Sequence, residues 1–342
     1  MTVFSVRHLT EYRYARRVGF GEHRLMFRPR DSFDQRLLRS SLRVSPEPES
    51  IRWIHDVFGN CVAVVRFGDR AETLRFETEI VLDHTPSAAP EFSTDRKVLS
   101  FPFSYDPEEE PDLAPTRARA YGGGDDEVAR WARRFVGGGK RTETGRLLMT
   151  MCYAIRESFT YARRTAPGVQ KPSETLRIGR GTCRDFALLM MEGVRSLGFA
   201  ARFVSGYIYV PSRDGALHRG GGATHAWCQV YLPGAGWVEF DPTNGIVGNR
   251  DLIRVAVARD PIQAVPLSGS YDGAPADALD MVVEVNVSTQ GDPKDGDGSS
   301  RPKPREDAQE VHVRPPPRMP AVSKPAAPSS RAARRAEPSR QP

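Results

Sequence analysis

The sequence has little cysteine and no long apolar run. Its 342 residues include only four cysteines, and no two of them form the C-x-x-C pair that is typical of zinc and redox sites. A zinc knuckle or a dense disulfide framework is therefore not expected, although four cysteines leave two disulfides formally open. No run of about eighteen apolar residues occurs, and the first residues, MTVFSVRHLTEYRY, lack the apolar segment of a signal peptide. These absences predict a cytoplasmic protein without membrane association.

Several motifs of common enzyme classes are also missing. The sequence contains no H-E-x-x-H string, no G-x-S-x-G string and no calcium-binding loop. These absences argue against a zinc metallopeptidase, a serine hydrolase of the α/β type and a calcium-binding protein. We therefore expect a protein that needs no metal and no cofactor.

The positive charge is confined to one end of the chain. The formal net charge is +6, and residues 301–342 hold ten Lys or Arg against four Asp or Glu, which accounts for the whole excess. The rest of the chain is neutral overall, so it has no electrostatic footprint for nucleic acid. The tail also has no aromatic residues that could stack on bases. A nucleic-acid partner is therefore not expected.

Residues 1–85 have the pattern of a β domain. Apolar and polar residues alternate in segments such as CVAVVRF, which starts at residue 61, and this period of two indicates antiparallel strands. Gly59 and Asn60 lie between two such segments and predict a tight hairpin turn. We interpret the region as an antiparallel β-sandwich, followed at 86–124 by a connecting segment rich in proline and acidic residues.

Residues 125–285 combine helical and strand patterns and predict a core of α+β class. A helix is expected from Asp125 and Asp126, another from Thr142 to Thr160, and a third from Thr182 to Leu197, ended by glycine at 198. Strand patterns follow at 201, 225 and 237. The order predicts a helix carrying Cys183 packed on an antiparallel sheet. Residues 290–342 are rich in Pro, Ser and Arg, which predicts a disordered tail that binds, at most, a protein partner.

Cys183 stands where a reactive thiol is expected. The string GTCRDFA places it at the start of the third helix, where the partial positive charge of a helix N-terminus favours the thiolate that acts as nucleophile. The free backbone N–H groups there can also receive an oxyanion. An isolated cysteine at the start of an apolar helix is more often a buried small residue, so other residues must support catalysis. Asp185 reads as an ordinary first-turn carboxylate.

A general base and an orienting carboxylate follow in the strands. His225 enters one strand and Asp241 closes the next, so a hairpin brings them together; His218 is the competing histidine but lacks such a carboxylate. The two side chains share a sheet face only if Trp227 lies opposite Asp241. This register requires an odd-numbered loop or a bulge near Gly234 to Gly236.

The strings GTCRDFALLMMEGVRSLGFAARFVSGY and THAWCQVYLPGAGWVEFDPTN resemble the bacterial transglutaminase-like superfamily, including the spacing from cysteine to histidine to aspartate. The segments HLTEYRYARRV and WIHDVFGN resemble the β domain that precedes the core in that family. The resemblance covers about residues 2–250. It implies a papain-like core and thioester chemistry, and it maps Cys183, His225 and Asp241 onto the family's catalytic triad.

The predicted function is cysteine-dependent acyl transfer on amide or peptide bonds through a thioester acyl-enzyme, with hydrolysis favoured. Two alternatives stay open: crosslinking of protein glutamines as in a transglutaminase, and a peptide-binding or assembly scaffold without catalysis. Tyr161 and Trp227 are candidates for stabilising the oxyanion or lining the acyl groove, or for packing the core. Cys152 and Cys228 are expected to be core residues.

Overall fold

The computed structural model describes residues 2–86, 95–122, 126–138, 141–164, 168–210 and 222–289. These residues form eighteen strands, namely β1 (Thr2–Phe20), β2 (His23–Leu25), β3 (Gln35–Ser45), β4 (Ser50–His55), β5 (Cys61–Arg66), β6 (Ala71–His84), β7 (Ser100–Phe101), β8 (Thr142–Glu143), β9 (Thr160–Tyr161), β10 (Arg180–Gly181), β11 (Ala201–Ile208), β12 (His225–Leu232), β13 (Gly236–Asp241), β14 (Ile246–Val247), β15 (Leu252–Ala258), β16 (Leu267–Ser268), β17 (Tyr271–Asp272) and β18 (Ala278–Thr289).

The same residues form five α-helices, namely α1 (Glu110–Arg117), α2 (Glu127–Arg133), α3 (Thr144–Ser158), α4 (Pro172–Ile178) and α5 (Cys183–Ser196). Short 3-10 helices span Pro261–Ala264 and Pro275–Asp277. In the part of the chain that the structure describes, no helix is both long and apolar enough to cross a bilayer. The predicted disordered tail, residues 290–342, lies outside the described residues.

The N-terminal region is a sandwich of two antiparallel sheets. In one sheet β1 lies between β6 and the pair β17 and β18, and β3 follows β6; the other sheet has the order β16-β2-β5-β4. The alternating pattern turns one face of each strand inward, so that Phe20, Leu25, Val65 and Phe76 meet in one buried cluster. The predicted β-sandwich is confirmed.

The hairpin between β4 and β5 has a longer loop than predicted. His55 pairs with Cys61, so five residues form the turn. The Asp56 carboxylate holds this loop by accepting hydrogen bonds from the backbone N–H groups of Phe58, at 2.9 Å, and Asn60, at 2.8 Å. Because the Asp56 side chain accepts these backbone hydrogen bonds, the loop can be longer than a two-residue turn. The dipeptide Gly59-Asn60 had indicated the shorter turn.

The core is a five-stranded antiparallel sheet, β14-β13-β12-β11-β15, with α5 packed on one face. The buried side of α5 carries Phe186, Leu189, Met190 and Val194, the helical spacing noted in the sequence. Gly198 follows the helix in the left-handed region, at φ 95°, as expected for a C-terminal glycine. The predicted helix-on-sheet arrangement of α+β class is confirmed.

The connecting segment contains a helix that the sequence pattern did not reveal. Within the stretch expected to be irregular, α1 forms with Pro111 in its first turn and Pro115 inside it. A proline in the first turn costs no hydrogen bond, whereas an internal proline removes one. Because two prolines in eight residues normally argue against a helix, the pattern favoured a loop. The short α4 was likewise not predicted.

The chain returns from the core to the N-terminal sandwich. We expected residues up to 285 to belong to the core, but β16 pairs with β2, and β18 pairs with β1 along most of its length, from Phe4 opposite Thr289 to Tyr14 opposite Ala278. Strand pairing depends on which edge is available rather than on local pattern, so the sequence could not show it. The sandwich therefore contains strands from both ends of the described chain.

The sandwich packs directly on the core sheet. Val6 and Leu82 of the sandwich share a buried apolar cluster with Ile253 of β15. At this interface the buried His8 places Nδ1 at 3.0 Å from the hydroxyl of Tyr207 on β11. The interface thus combines an apolar cluster with a buried polar contact.

Candidate active site

Cys183 is the first residue of α5, as the sequence predicts. Thr182 precedes it in extended conformation at the N-cap position. The cysteine side chain is almost completely buried, with 7% of its surface exposed. The thiol therefore lies where the unpaired N–H groups of the first helical turn converge.

Asp185 ties the start of α5 to the preceding segments. Its Oδ2 accepts hydrogen bonds from the backbone N–H and the hydroxyl of Thr182, both at 2.8 Å. Its Oδ1 accepts from the backbone N–H of Gln170, at 2.7 Å, and from the guanidinium of Arg164, at 3.1 Å. The carboxylate is fully buried. Asp185 is therefore not the ordinary first-turn residue we expected, but the group that fixes the backbone around Cys183.

The hairpin register brings His225 and Asp241 to the same face. Leu232 pairs with Gly236, and Cys228 pairs with Phe240, so the loop has three residues. Continued by one pair, this register sets Trp227 opposite Asp241. Gly234 and Gly236 adopt positive φ values of 84° and 72°, which glycine tolerates. The predicted odd-numbered loop is confirmed.

His225 and Asp241 form a buried hydrogen-bonded pair. Nε2 of His225 lies 2.8 Å from Oδ2 of Asp241, and both side chains are fully buried. The other ring nitrogen, Nδ1, makes no bond of ordinary geometry to a described group. Because Nε2 is engaged by Asp241, Nδ1 is the ring nitrogen left for Cys183, whose proximity contributes to the raised pKa of the imidazole.

The pair has strongly shifted pKa values. Burial lowers the pKa of His225, but the charge and hydrogen bond of Asp241, reinforced by Cys183, outweigh it and raise that pKa to about 10. Burial raises the pKa of Asp241, but the charge and hydrogen bond of His225, followed by two further donors, lower it overall. The imidazole is thus held as a strong base next to a carboxylate that remains ionised.

A turn after β13 fixes the Asp241 carboxylate. The backbone N–H of Thr243 donates to Oδ1 at 2.9 Å, and the side-chain amide of Asn244 donates to Oδ2 at 2.7 Å. Asn244 Nδ2 also lies 3.4 Å from Nε2 of His225. The string DPTN by itself indicates no role for its asparagine. The signal was an aspartate two residues before a backbone donor, as in an Asx turn.

Tyr161 lies beside the nucleophile. It belongs to β9, which pairs in parallel with β10 so that Tyr161 is opposite Gly181, two residues before Cys183. Burial, with a smaller contribution from the charge of Cys183, raises the pKa of Tyr161 to about 12. Its hydroxyl therefore stays protonated near neutral pH and is available as a hydrogen-bond donor.

Trp227 is placed differently from what a groove residue requires. Its side chain is fully buried and lies in an apolar cluster with Val204 and Leu252. The indole stacks on the imidazole of His225, with ring centroids 5.9 Å apart and planes inclined by 28°. The ring is covered, so Trp227 packs in the core, the alternative that the sequence left open, and does not line an open groove. It supports the imidazole from behind instead.

All four cysteines are free thiols. Cys152 and Cys228 are fully buried, as expected of core residues, and Cys61 is half-buried. Burial raises the pKa of Cys152 and, likewise, that of Cys228. Among the described residues no cluster of three metal-ligating side chains occurs. The competing histidine, His218, lies outside the described residues.

Two family models match the chain. The bacterial transglutaminase-like N-terminal region matches residues 4–83, and the transglutaminase-like superfamily core matches residues 129–242. An uncharacterized protein of Mycobacterium leprae is 30% identical over 287 residues, which cover 82% of this chain and 97% of that protein. The chain belongs to the transglutaminase-like superfamily. The resemblance inferred from the sequence is thereby confirmed.

Two further relatives extend the comparison. An uncharacterized protein of Mycobacterium tuberculosis is 29% identical over 307 residues, covering 84% of this chain and 94% of that protein. A solved structure from Cytophaga hutchinsonii, provisionally named a cysteine protease, superposes with a TM-score of 0.64 at 18% identity. It covers 84% of this chain and 90% of that chain. At this identity the likeness establishes a shared fold and nothing about activity.

Proposed function

We propose that this protein is a cysteine-dependent acyl-transfer enzyme that cleaves amide or peptide bonds through a thioester. Cys183 is the nucleophile, His225 the general base and Asp241 the residue that orients the imidazole. The observation that carries this assignment is the buried 2.8 Å contact from Nε2 of His225 to Asp241, which leaves Nδ1 to the thiol at the start of α5. Membership of the transglutaminase-like superfamily supports the same chemistry.

The first half of the reaction forms the acyl-enzyme. Nδ1 of His225 takes the proton of the Cys183 thiol, and the sulfur attacks the carbonyl carbon of the substrate amide. The negative charge then moves to the carbonyl oxygen. When the tetrahedral intermediate collapses, the imidazolium gives its proton to the departing amine and the C–N bond breaks. With its pKa raised to about 10, His225 carries this proton near neutral pH and can donate it to the departing amine.

Charge on the carbonyl oxygen requires hydrogen-bond donors. The N–H groups in the first turn of α5 have no partners within the helix, and they lie beside the sulfur. The Tyr161 hydroxyl is a second donor near the site, because the raised pKa of this residue keeps it protonated. We assign Tyr161 to the oxyanion and leave Trp227 to support the histidine.

The acyl-enzyme is resolved by water or by an amine. We propose hydrolysis, because water is the abundant acceptor and a crosslinking enzyme must shield the thioester from it. A glutamine-containing peptide, incubated with and without a primary amine, separates the two outcomes. Ammonia release without incorporation of the amine indicates an amidase, cleavage of the peptide backbone indicates a peptidase, and incorporation of the amine indicates a transglutaminase.

The nucleophile can be tested without knowing the substrate. Iodoacetamide should modify Cys183 rapidly in the folded protein, and mass spectrometry of the digest identifies the modified cysteine. His225→Ala should slow this modification by at least about tenfold, because general bases contribute a hundredfold or more to such sites. Cys61, which is half-buried and far from the triad in sequence, gives the internal control rate.

Two outcomes would contradict the assignment. The first is a Cys183 that reacts no faster than Cys61 in the native protein and is insensitive to His225→Ala. The second is hydrolysis of a peptide substrate that survives Cys183→Ala at the wild-type rate. A thermal melt of each variant distinguishes loss of the nucleophile or base from loss of the fold.

A further inference from the structure

A large cleft lies on the core sheet away from the nucleophile. It has a volume of about 890 Å³ and lies between the loop at residues 30–34 and the face of the core sheet opposite α5. The side chains that define it come from both regions, namely Arg30, Asp34, Arg202, Trp237, Glu239 and Arg254. Neither Cys183 nor His225 lines it.

One of the two sheet arginines in this cleft is already neutralised. Nη1 of Arg254 donates to Oε1 of Glu239 at 2.7 Å, and Nη2 donates to Oδ1 of Asp34 at 3.0 Å. The two carboxylates therefore neutralise the guanidinium of Arg254, which links the loop at residues 30–34 to the core sheet. Arg254 therefore has a structural role.

Arg202 makes no ion pair with a described carboxylate, and the charge of Glu239 acts on it more weakly than burial and Arg254 do. Its Nε donates to the side-chain oxygen of Gln229 at 2.6 Å, and its guanidinium lies over the ring of Trp237, 4.1 Å from the centroid. Within the described ranges no carboxylate oxygen lies within 4.0 Å of it. Burial and then the charge of Arg254 lower its pKa to about 10. A bound anion would relieve both effects.

The geometry of Arg202 favours a planar anion. The stack on Trp237 and the bond to Gln229 fix the plane of the guanidinium and leave its two terminal nitrogens for a ligand. A guanidinium held in this way presents paired N–H groups that match the two oxygens of a carboxylate. The aromatic ring beside it offers an apolar surface to the rest of the ligand.

A second pocket adjoins the cleft and indicates which charges the rest of the ligand can carry. This pocket, of about 490 Å³, shares Arg202 and Trp237 with the cleft, and its other charged lining residues are Glu108, Glu109, Asp112 and Arg259. The three carboxylates outnumber the arginines of this pocket, which disfavours a polyanion such as a polyphosphate and favours a neutral or cationic group. A ligand with one carboxylate at one end and no further negative charge fits these charges.

The cleft is separate from the triad. Gln229, the partner of Arg202, lies four residues along β12 from His225, or about 13 Å at the rise of a strand. Between them Trp227 is fully buried and closes this face of the sheet. The group paired with Arg202 therefore does not touch the sulfur of Cys183.

We propose that this cleft is a second binding site that takes the C-terminal carboxylate of a peptide, with Arg202 paired to the carboxylate and Trp237 against the adjoining side chain. The site goes beyond the acyl-transfer chemistry proposed above and does not depend on it. The carboxylate bound there lies on the core sheet but away from Cys183, which does not line the cleft.

The test uses the full chain with Cys183→Ala, so that no turnover occurs. Gly-Gly-Phe with a free carboxylate and the same tripeptide as its C-terminal amide are titrated by isothermal calorimetry. The free acid should bind, and the amide should bind at least tenfold more weakly. Arg202→Met, which keeps the apolar stem over Trp237, should weaken the free acid by at least tenfold, whereas Arg36→Met on exposed β3 should leave its affinity unchanged.

Arg202→Lys is a second variant, which keeps the test valid if Arg202→Met does not fold. It keeps the charge but loses the paired N–H groups, so it should weaken binding less than Arg202→Met while melting at the wild-type temperature. Equal binding of acid and amide, tighter binding of inorganic phosphate than of the free acid, or no binding of either tripeptide overturns the proposal. Loss of binding when Cys183 of the wild-type protein is alkylated also overturns it, since that result places the peptide in the catalytic site.

Discussion

The side-chain amide of Asn244 donates to Oδ2 of Asp241 at 2.7 Å, and the same oxygen lies 2.8 Å from Nε2 of His225. One carboxylate oxygen thus contacts both the imidazole and the turn that follows β13. Since the two contacts share an acceptor, a shift of the asparagine allows the carboxylate to rotate away from the histidine. Asn244 is in this sense a positioning residue for the base.

We expect Asn244→Ala to slow the alkylation of Cys183 by iodoacetamide by about tenfold, because a hydrogen bond to a charged group contributes about 1.5 to 3 kcal/mol. The measurement is the rate constant from mass spectrometry of timed samples. Asn286→Ala, at an exposed position on β18, is the control and should react as the wild type does. A wild-type rate for Asn244→Ala would show that backbone donors alone hold the carboxylate.

Asp185→Asn should both destabilise the protein and slow the modification of Cys183. The buried carboxylate accepts four hydrogen bonds, and an amide in its place turns an NH₂ group toward existing donors. Leaving such groups unpaired costs about 1 to 3 kcal/mol each. Urea denaturation gives the free energy of unfolding. Glu174→Gln, at an exposed first-turn carboxylate of α4, should change neither quantity.

His8 should make the interface between sandwich and core sensitive to acid. Burial lowers the pKa of His8 to about 4, from an ordinary value of 6.5. Below pH 6.5 the unfolded chain takes up a proton at this residue that the folded chain does not, so the free energy of unfolding falls as the pH is lowered toward 4. The contribution approaches about 3 kcal/mol across this window.

The contribution of His8 is measured by comparing urea denaturation of wild type and His8→Gln at several pH values. The difference in free energy of unfolding between the two should change by about this amount from pH 7 to pH 4. His55→Gln, at an exposed position on β4, should leave the pH dependence as it is in the wild type. A pH dependence that is the same in His8→Gln and wild type would contradict the expected role.

Gly206→Ala should destabilise the core sheet. A Cβ added at Gly206 would overlap the carbonyl oxygen of Ile253 and come within 2.8 Å of the Trp227 ring. Overpacking of this kind costs about 1 to 3 kcal/mol. Because Gly206 pairs with His225, the rate of Cys183 alkylation should fall as well. Gly68→Ala, where the added atom meets nothing within 4 Å, is the control for both measurements.

Much of the candidate site could be predicted from the sequence because its signals are local. The start of α5 follows from apolar spacing after Cys183, and the loop parity follows from the requirement that His225 and Asp241 share a face. The roles of Asn244 and Asp185 were not predicted. Asp185 lies three residues after Thr182, the spacing of a capping box, but its bonds to Gln170 and Arg164 depend on the fold. Asn244 lies three residues after Asp241 and bonds to its carboxylate, a local contact that polar residues in a solvated turn also make.

The elements with a strong hydrophobic periodicity could be predicted, whereas the pairing of strands that are far apart in the chain could not. The alternation in β6 and the helical spacing in α5 identify those elements, whereas the prolines of α1 conceal a helix. The return of β18 to β1 could not be foreseen, since an alternating segment pairs with whichever edge is open.

The position of β1 between β6 and β18 affects how the protein is made. A ribosome completes β1 and β6 early, but the remaining neighbour of β1 is synthesised only after the whole catalytic unit. Until then one backbone edge of β1 is unpaired and open to association with other chains. The sandwich therefore cannot complete its sheet before the core has been synthesised. A nascent chain that ends after Asp241 would expose an edge of β1 that is paired with β18 in the full-length protein.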